Sequence, residues 1–475
     1  MSSQREMSHN VRFCSSSTLI LLFVLVIIPN FSYTEGSKRV LSVVDYGAKG
    51  DGQHDDTKAF QEAWKIACSL NGGAVIFFPY GKTFLVYPLD IVGPCRSKVT
   101  LLILGEIVAP EDPEAWNGFD RQKWLSIRWV SHLTVEGGGS GTINGMGHKW
   151  WSRSCKTTQN HACGVAPTSH NSTVQAINFH RCYHLKVKNL KLLNSQQIHV
   201  AITNSRNVVT SNLRVLAPAF SPNTDGIHIG ASKGVEVNDC IIQTGDDCIS
   251  IVSNSSKIRI RNLSCGPGHG ISIGSLGKFN SWEKVHDVTV DGAFLSRTGN
   301  GVRIKTWQGG GGFASDITFR NILMDQVSNP ITVDQYYCDS SMACQNQRKM
   351  QSSAVKVRHI SFINIRGTSA SENAIKFACS DASPCEDLLL ENIFLAPRRG
   401  GLVRSYCWEA HGFIRGPVQP SACPPVCQNF IGPEECQLAN PQMGTNDLVE
   451  ASTGQPALKK ITRAGLNQTV EANSP

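Results

Sequence analysis

Leu185-Lys-Val-Lys-Asn189, Val208-Val-Thr-Ser-Asn212, Val235-Glu-Val-Asn-Asp239 and Ile258-Arg-Ile-Arg-Asn262 repeat one pattern, apolar-x-apolar-x-Asn/Asp, at steps of 23, 27 and 23 residues. The pattern returns as Ile317-Thr-Phe-Arg-Asn321, Ile360-Ser-Phe-Ile-Asn364 and Leu388-Leu-Leu-Glu-Asn392. Alternating apolar residues specify strands, and a repeat of this length specifies a solenoid. A coil of about 23 residues holds two or three short strands with their turns, too long for a hairpin and too short for a βαβ unit. The expected fold is all-β, a single parallel β-helix. The recurrent Asn suits the turn between strands, because its short amide tolerates the left-handed conformation, and stacked amides can bond from coil to coil.

Ahead of the repeats, Asp55-Asp-Thr57 leads into Lys58-Ala-Phe-Gln-Glu-Ala-Trp-Lys-Ile-Ala-Cys68. Phe60, Ala63, Trp64 and Ala67 keep helical spacing behind an aspartate positioned to cap the helix. This amphipathic helix is expected to close one end of the solenoid, where an uncapped coil would expose apolar core and strand edges. At the N-terminus, Arg5 and Arg12 precede an apolar run from Leu19 to Ile28, then Pro29 and the small residues Ser32 and Thr34. That order reads as a secretory leader over residues 1–34, and the run is shorter than the ~20 residues a membrane span needs. The β-helix is expected over residues 40–437, with a polar, aromatic-free and disordered tail over 438–475.

Excluding Cys14 in the leader, sixteen of the 17 cysteines remain, an even number that fits pairing in an oxidising compartment. Four N-x-S/T sequons, at Asn171, Asn254, Asn262 and Asn467, fit the same route and are candidate glycosylation sites. Zinc binding by Cys423, Cys427 and Cys436 is the weaker alternative, since secreted chains oxidise such clusters more often. The formal charge of +8 favours an anionic partner. The basic residues are scattered, which disfavours nucleic acid and favours an acidic polysaccharide.

Four segments carry the chemistry: Ser221-Pro-Asn-Thr-Asp-Gly226, Thr244-Gly-Asp-Asp-Cys248, Gly266-Pro-Gly-His-Gly270 and Val302-Arg-Ile-Lys305. Asp225 and Asp246 are 21 residues apart, Asp247 and His269 22 apart. Those steps approximate one coil, so parallel strands about 4.8 Å apart would stack the segments on one face. For Asp246 and Asp247 both to look outward the chain must bend, which Gly245 permits. Three close carboxylates cannot all stay comfortably ionised, so the site should hold a proton. A protonated carboxyl beside ionised ones is what glycoside hydrolysis needs. Arg303 and Lys305, two apart on a strand, would share a face and could hold a substrate carboxylate. Aspartates beside glycine often serve turns alone, and clustered aspartates can bind calcium. Four segments in step with the repeat weigh against the first reading, and the adjacent His and two cations against the second.

These stretches, with Tyr46-Gly-Ala-Lys-Gly-Asp-Gly52, Trp150-Trp151 and Asp334-Gln-Tyr-Tyr-Cys338, resemble glycoside hydrolase family 28, and within it the plant polygalacturonases. The resemblance runs from about residue 43 to 395. It implies a right-handed parallel β-helix, no cofactor or metal, and hydrolysis of α-1,4-linked galacturonate in pectin or polygalacturonate with inversion. By the same resemblance Asp246 would be the general acid, Asp225 and Asp247 would activate water, and His269 would tune the acid. Arg303, Lys305 and Tyr337 would bind the uronate. A secreted, monomeric enzyme of the cell wall is the expectation. A pectate-lyase-like eliminase and a catalytically silent pectin-binding solenoid are the alternatives; the complete set of three aspartates and a histidine disfavours both.

Cys248 and Cys265 bracket the site and are a good disulfide pair, although each could instead have a partner in another coil. Their closed loop would stabilise by about 3 kcal/mol. Local bridges Cys338–Cys344 and Cys379–Cys385 are also expected. Two departures from the family pattern, Gln196 where Pro is common and Met146 where Gln is common, fall in preceding coils. The segment from Tyr406 to Cys436 is longer than a final coil needs.

Overall fold

The computed structural model describes residues 38–154, 174–339, 353–421 and 430–431. The expected leader and tail, Asn171, Asn467, Cys344, Cys423, Cys427 and Cys436 lie outside them. Within the described residues the chain winds as a parallel β-helix. One flank is a sheet whose eleven strands follow chain order: β1 (Leu89–Val92), β2 (Lys123–Arg128), β3 (Gln175–His180), β4 (Ile198–Thr203), β5 (Ile227–Gly230), β6 (Ile249–Ile251), β7 (Ile271–Leu276), β8 (Asn300–Thr306), β9 (Asn329–Asp334), β10 (Asn373–Ala378) and β11 (Arg404–Trp408). Each pairs in parallel with the next.

The repeated motif forms the strands of the other flank. Leu185, Val208, Val235, Ile258, Val288, Ile317, Ile360 and Leu388 are successive register partners, all fully buried. Each such side chain contributes about 1.5–3 kcal/mol of hydrophobic stabilisation. Two residues on, Phe319 and Phe362 stack with ring centroids 5.5 Å apart, and Phe377 of β10 meets Phe362 across the core. Every asparagine or aspartate that closes the motif is left-handed, with φ between 52° and 58° at Asn189, Asn212, Asp239, Asn262, Asn321, Asn364 and Asn392. The amides form the expected ladder: Asn212 donates to Asn189, Asn364 to Asn321 and Asn392 to Asn364, at 2.8, 3.2 and 3.1 Å.

Helix α1 (Thr57–Ser69) buries Ala59, Phe60, Ala63, Trp64 and Ala67. Phe60 packs edge-on against Phe78, and a disulfide from Cys68 to Cys95 ties the helix end to the adjoining coil. Asp56 is the capping residue by position, but its carboxylate accepts instead from the backbone of Lys49 and Gly50, and Asp55 accepts from Thr57 N. The Tyr46–Gly52 turn therefore competes successfully for the cap.

Cys248–Cys265 and Cys379–Cys385 are bonded as expected, and Cys338 and Cys407 are also half-cystines. Pairing of all sixteen cysteines does not hold. Cys182 and Cys240 are buried free thiols, filling the core as small apolar side chains, and burial pushes both thiols up to about 11.

Candidate active site

The site is built from the turns that enter β5, β6 and β7 and from the outward positions of β8. In a strand reading apolar-x-apolar, the middle side chain points away from the core. Register therefore aligns Ala201, His228, Ser250, Ser272, Arg303, Thr332, Lys376 and Tyr406 in one outward row. The aspartates lie just before β5 and β6, at the edge of this row.

Hydrogen bonds lock the turns to one another. Thr224 Oγ1 accepts from Gly245 N at 2.9 Å, joining the turn that holds Asp225 to the one that holds Asp246 and Asp247. Only glycine fits at 245, since a Cβ there would lie 1.9 Å from the Ser221 carbonyl oxygen. The chain bends at Gly245-Asp246, and both following aspartates reach the same site. His269 N donates to the Asp246 carbonyl at 2.7 Å, and its ring Nδ1 lies 2.9 Å from Asp246 Oδ1. Asp247 N also donates to Asp246 Oδ1, at 2.8 Å. The Cys248–Cys265 disulfide fixes the end of this turn against the next coil.

Asp247 is the buried ionic centre, its side chain only 3% exposed. Ser272 Oγ and Arg303 Nη2 donate to its Oδ1 at 2.8 and 2.9 Å, and Lys305 Nζ to its Oδ2 at 2.9 Å. Tyr337 covers both cations, with Lys305 Nζ 5.3 Å and the Arg303 guanidinium 6.0 Å from its ring centroid. The expected cation pair thus sits on one face, where it also pairs with Asp247. Oxygens of Asp246 and Asp247 and a nitrogen of His269 approach within 4.8 Å of one another.

Asp225 behaves differently. Burial, then the charges of Asp246 and Asp247, push its carboxyl well above the usual carboxylate range. Ser250 Oγ, 2.7 Å from Asp225 Oδ2, opposes this. Three carboxyls this close therefore resist full ionisation.

The structure thus brings Asp225, Asp246, Asp247, His269, Arg303, Lys305 and Tyr337 together, with the Cys248–Cys265 bridge behind them. Four neighbours were missed in the sequence. Ser250 and Ser272 each hold one aspartate; His228 Nδ1 lies 2.8 Å from Ser250 Oγ; and His199 bonds the Asp225 carbonyl through both its backbone N (2.9 Å) and its ring Nδ1 (3.0 Å). Burial lowers both histidines to about 4, so they are neutral near pH 7. The signal was available: Ile227-His-Ile229, Ile249-Ser-Ile251, Ile271-Ser-Ile273 and Val302-Arg-Ile304 are a second repeat, with polar side chains at its centre.

Comparison with known proteins agrees with this arrangement. The model of the glycosyl hydrolases family 28 matches residues 68–409. A probable polygalacturonase of Arabidopsis thaliana is 54% identical over 388 residues, covering 82% of this chain and 84% of the relative. A polygalacturonase of Persea americana is 48% identical over 360 residues, covering 76% and 74%. Among solved structures, an exopolygalacturonase from Thermotoga maritima superposes with a TM-score of 0.62 at 20% identity, covering 76% of this chain and 88% of that one, a likeness of fold. A match across most of the coils, joined to relatives of this identity and coverage, places the chain in glycosyl hydrolase family 28.

Proposed function

We propose that this enzyme is a polygalacturonase, hydrolysing α-1,4-linked galacturonate in pectin or polygalacturonate. The single observation that carries the reading is a buried carboxylate, Asp247, bonded to Arg303 and Lys305 beside two further aspartates. Such a site offers acid and base on one side and cations for a uronate on the other. The names of the plant relatives point to the same substrate.

In this reading Asp246, bonded to His269, protonates the leaving oxygen. Asp225 and Asp247 orient and deprotonate water. Asp247 is a poor nucleophile toward a sugar, because both its oxygens are already bonded and it is nearly inaccessible. That favours direct attack by water, and hence inversion, even though oxygens of Asp246 and Asp247 lie within 4.8 Å. When Asp225 is ionised, Ser250 donates to it and His228 Nδ1 donates to Ser250, a chain that holds the carboxylate in place. Arg303 and Lys305 keep donors to spare for the substrate carboxylate, and Tyr337 forms the wall of that subsite.

Secretion to the cell wall after removal of residues 1–34, a catalytic unit over 40–437 and a monomeric state belong to the same proposal. No helix among the described residues is long and apolar enough to cross a membrane. Of the described sequons, Asn254 is the better glycan site: it is exposed on a left-handed turn, whereas Asn262 spends its amide on the ladder, donating to Asp239 at 3.0 Å.

The test is a reducing-end assay on polygalacturonate with chelator present, with proton NMR of the first product. Sugar ends without ultraviolet-absorbing product, and a β-configured first anomer, are expected. An unsaturated product would replace hydrolysis by elimination, and an α-configured first anomer would replace inversion by retention.

A further inference from the structure

The outward row that carries Ser272 and Arg303 does not stop at the reaction centre. It runs on through Thr332 and Lys376 to Tyr406, and the parallel row two residues along runs from Lys305 through Asp334 and Ala378 to Trp408. Strands in register are about 4.8 Å apart, close to the advance of one pyranose along a linear glycan, so each coil underlies roughly one sugar. We propose that β10 and β11 form a further sugar-binding stretch, in which Lys376 takes the carboxylate of a distal galacturonate and Trp408 carries the ring beyond it. This rests on the reading of the substrate as polygalacturonate.

Lys376 stands two coils beyond Arg303 at the same outward position, about 10 Å along the stack. Its ammonium lies 3.7 Å from Asp334 Oδ2, in a pair that is partly exposed. Such a pair contributes little by itself, and an ammonium has three donors, so a substrate carboxylate can share it. Trp408 is 48% exposed and Tyr406 46%, both on the strand that follows. Exposure at the last strand of this sheet among the described residues could be an accident of position, but Trp408 is held. Its Nε1 donates to Asp381 Oδ1 at 2.9 Å, while Tyr336 OH donates to Asp381 Oδ2 at 2.6 Å. The Tyr336 bond foremost keeps Asp381 below the usual carboxylate range, so it remains an acceptor for both rings. A broad apolar face that is both exposed and immobilised loses little entropy when a sugar packs on it. Tyr336 is thereby joined to this platform, while its neighbour Tyr337 faces the reaction centre.

The experiment compares K376M and W408L with the unmodified enzyme on polygalacturonate and on trigalacturonate, which is too short to fill the reaction centre and both distal positions. Each variant should lower kcat/KM on the polymer about threefold to tenfold, with a clearly smaller loss on the trimer. K376R and W408F should recover part of the polymer deficit. A polymer-to-trimer ratio unchanged in both variants, or an equal loss on both substrates, overturns the inference and leaves the substrate assignment intact. An unmodified enzyme that releases no sugar ends from either substrate overturns the assignment and this inference together.

Discussion

Two sides of the same coil put repetition to opposite uses. At the corner closed by Asn189, Asn212, Asn321, Asn364 and Asn392, nearly every turn places the same amide in the same left-handed conformation, and each bonds its neighbour. On the face of β5 to β10 the backbone repeats just as faithfully, but the outward side chain changes with every coil, from His228 through Ser250, Ser272, Arg303 and Thr332 to Lys376. A parallel solenoid holds successive coils about 4.8 Å apart regardless of side chain. Identity at a repeated position therefore builds a girder, and variety at a repeated position builds a reaction centre.

If that contrast is right, the two sides should fail in different ways. The largest effect belongs to Asp246→Asn, which should lower kcat by about 100-fold to 10,000-fold while substrate binding and melting temperature stay near wild type; steady-state kinetics with a binding titration check this, and activity within a few-fold of wild type would remove Asp246 as the acid. Next is Lys305→Met. The substitution should raise KM on polygalacturonate about tenfold or more, and because it strips a donor from buried Asp247 it should also lower the melting temperature. An unchanged KM would mean that Lys305 serves Asp247 alone.

On the girder side, Asn364→Ala should cost about 1–3 kcal/mol in denaturant unfolding and leave kcat/KM alone, since it loses two ladder bonds and the short amide that tolerates a left-handed backbone at φ 53°. Asn364→Gly keeps the backbone at ease and should recover part of the loss, as Gly292 and Gly416 already do in their own turns. The smallest and sharpest effect is on pH. Asp225 must be ionised to act as a base, so its raised pKa sets the acidic limb of kcat/KM above the ordinary carboxylate range. Ser250→Ala removes a hydrogen bond that favours the carboxylate, so the pKa rises further and the limb moves to higher pH. A limb that moves to lower pH, or stays fixed, would deny Asp225 that role.

Much of this was legible before any coordinates. The motif that ends in Asn announced the strands, and the steps of 21 and 22 residues from Asp225 to Asp246 and from Asp247 to His269 announced the stacking. The motif overlooked coils in which glycine takes the turn, as in Val288-Thr-Val-Asp-Gly292, because glycine satisfies the same left-handed backbone without carrying the amide. Ser250, Ser272, His199 and His228 were overlooked for a different reason. None has a distinctive type, and each matters only through the carboxyl or carbonyl it meets in a neighbouring coil.

Sequence alone determined the period, the inward apolar residues and which coils carry acids and cations, because a solenoid converts spacing along the chain directly into height along its axis. Tertiary structure alone decided how the charges divide. Their spacing makes Lys305 and Arg303 ligands for a substrate, yet they also pair with Asp247, while burial and two neighbouring charges push the Asp225 carboxyl upward. Ionisation depends on distance and desolvation in three dimensions, and neither is a property of spacing along the chain.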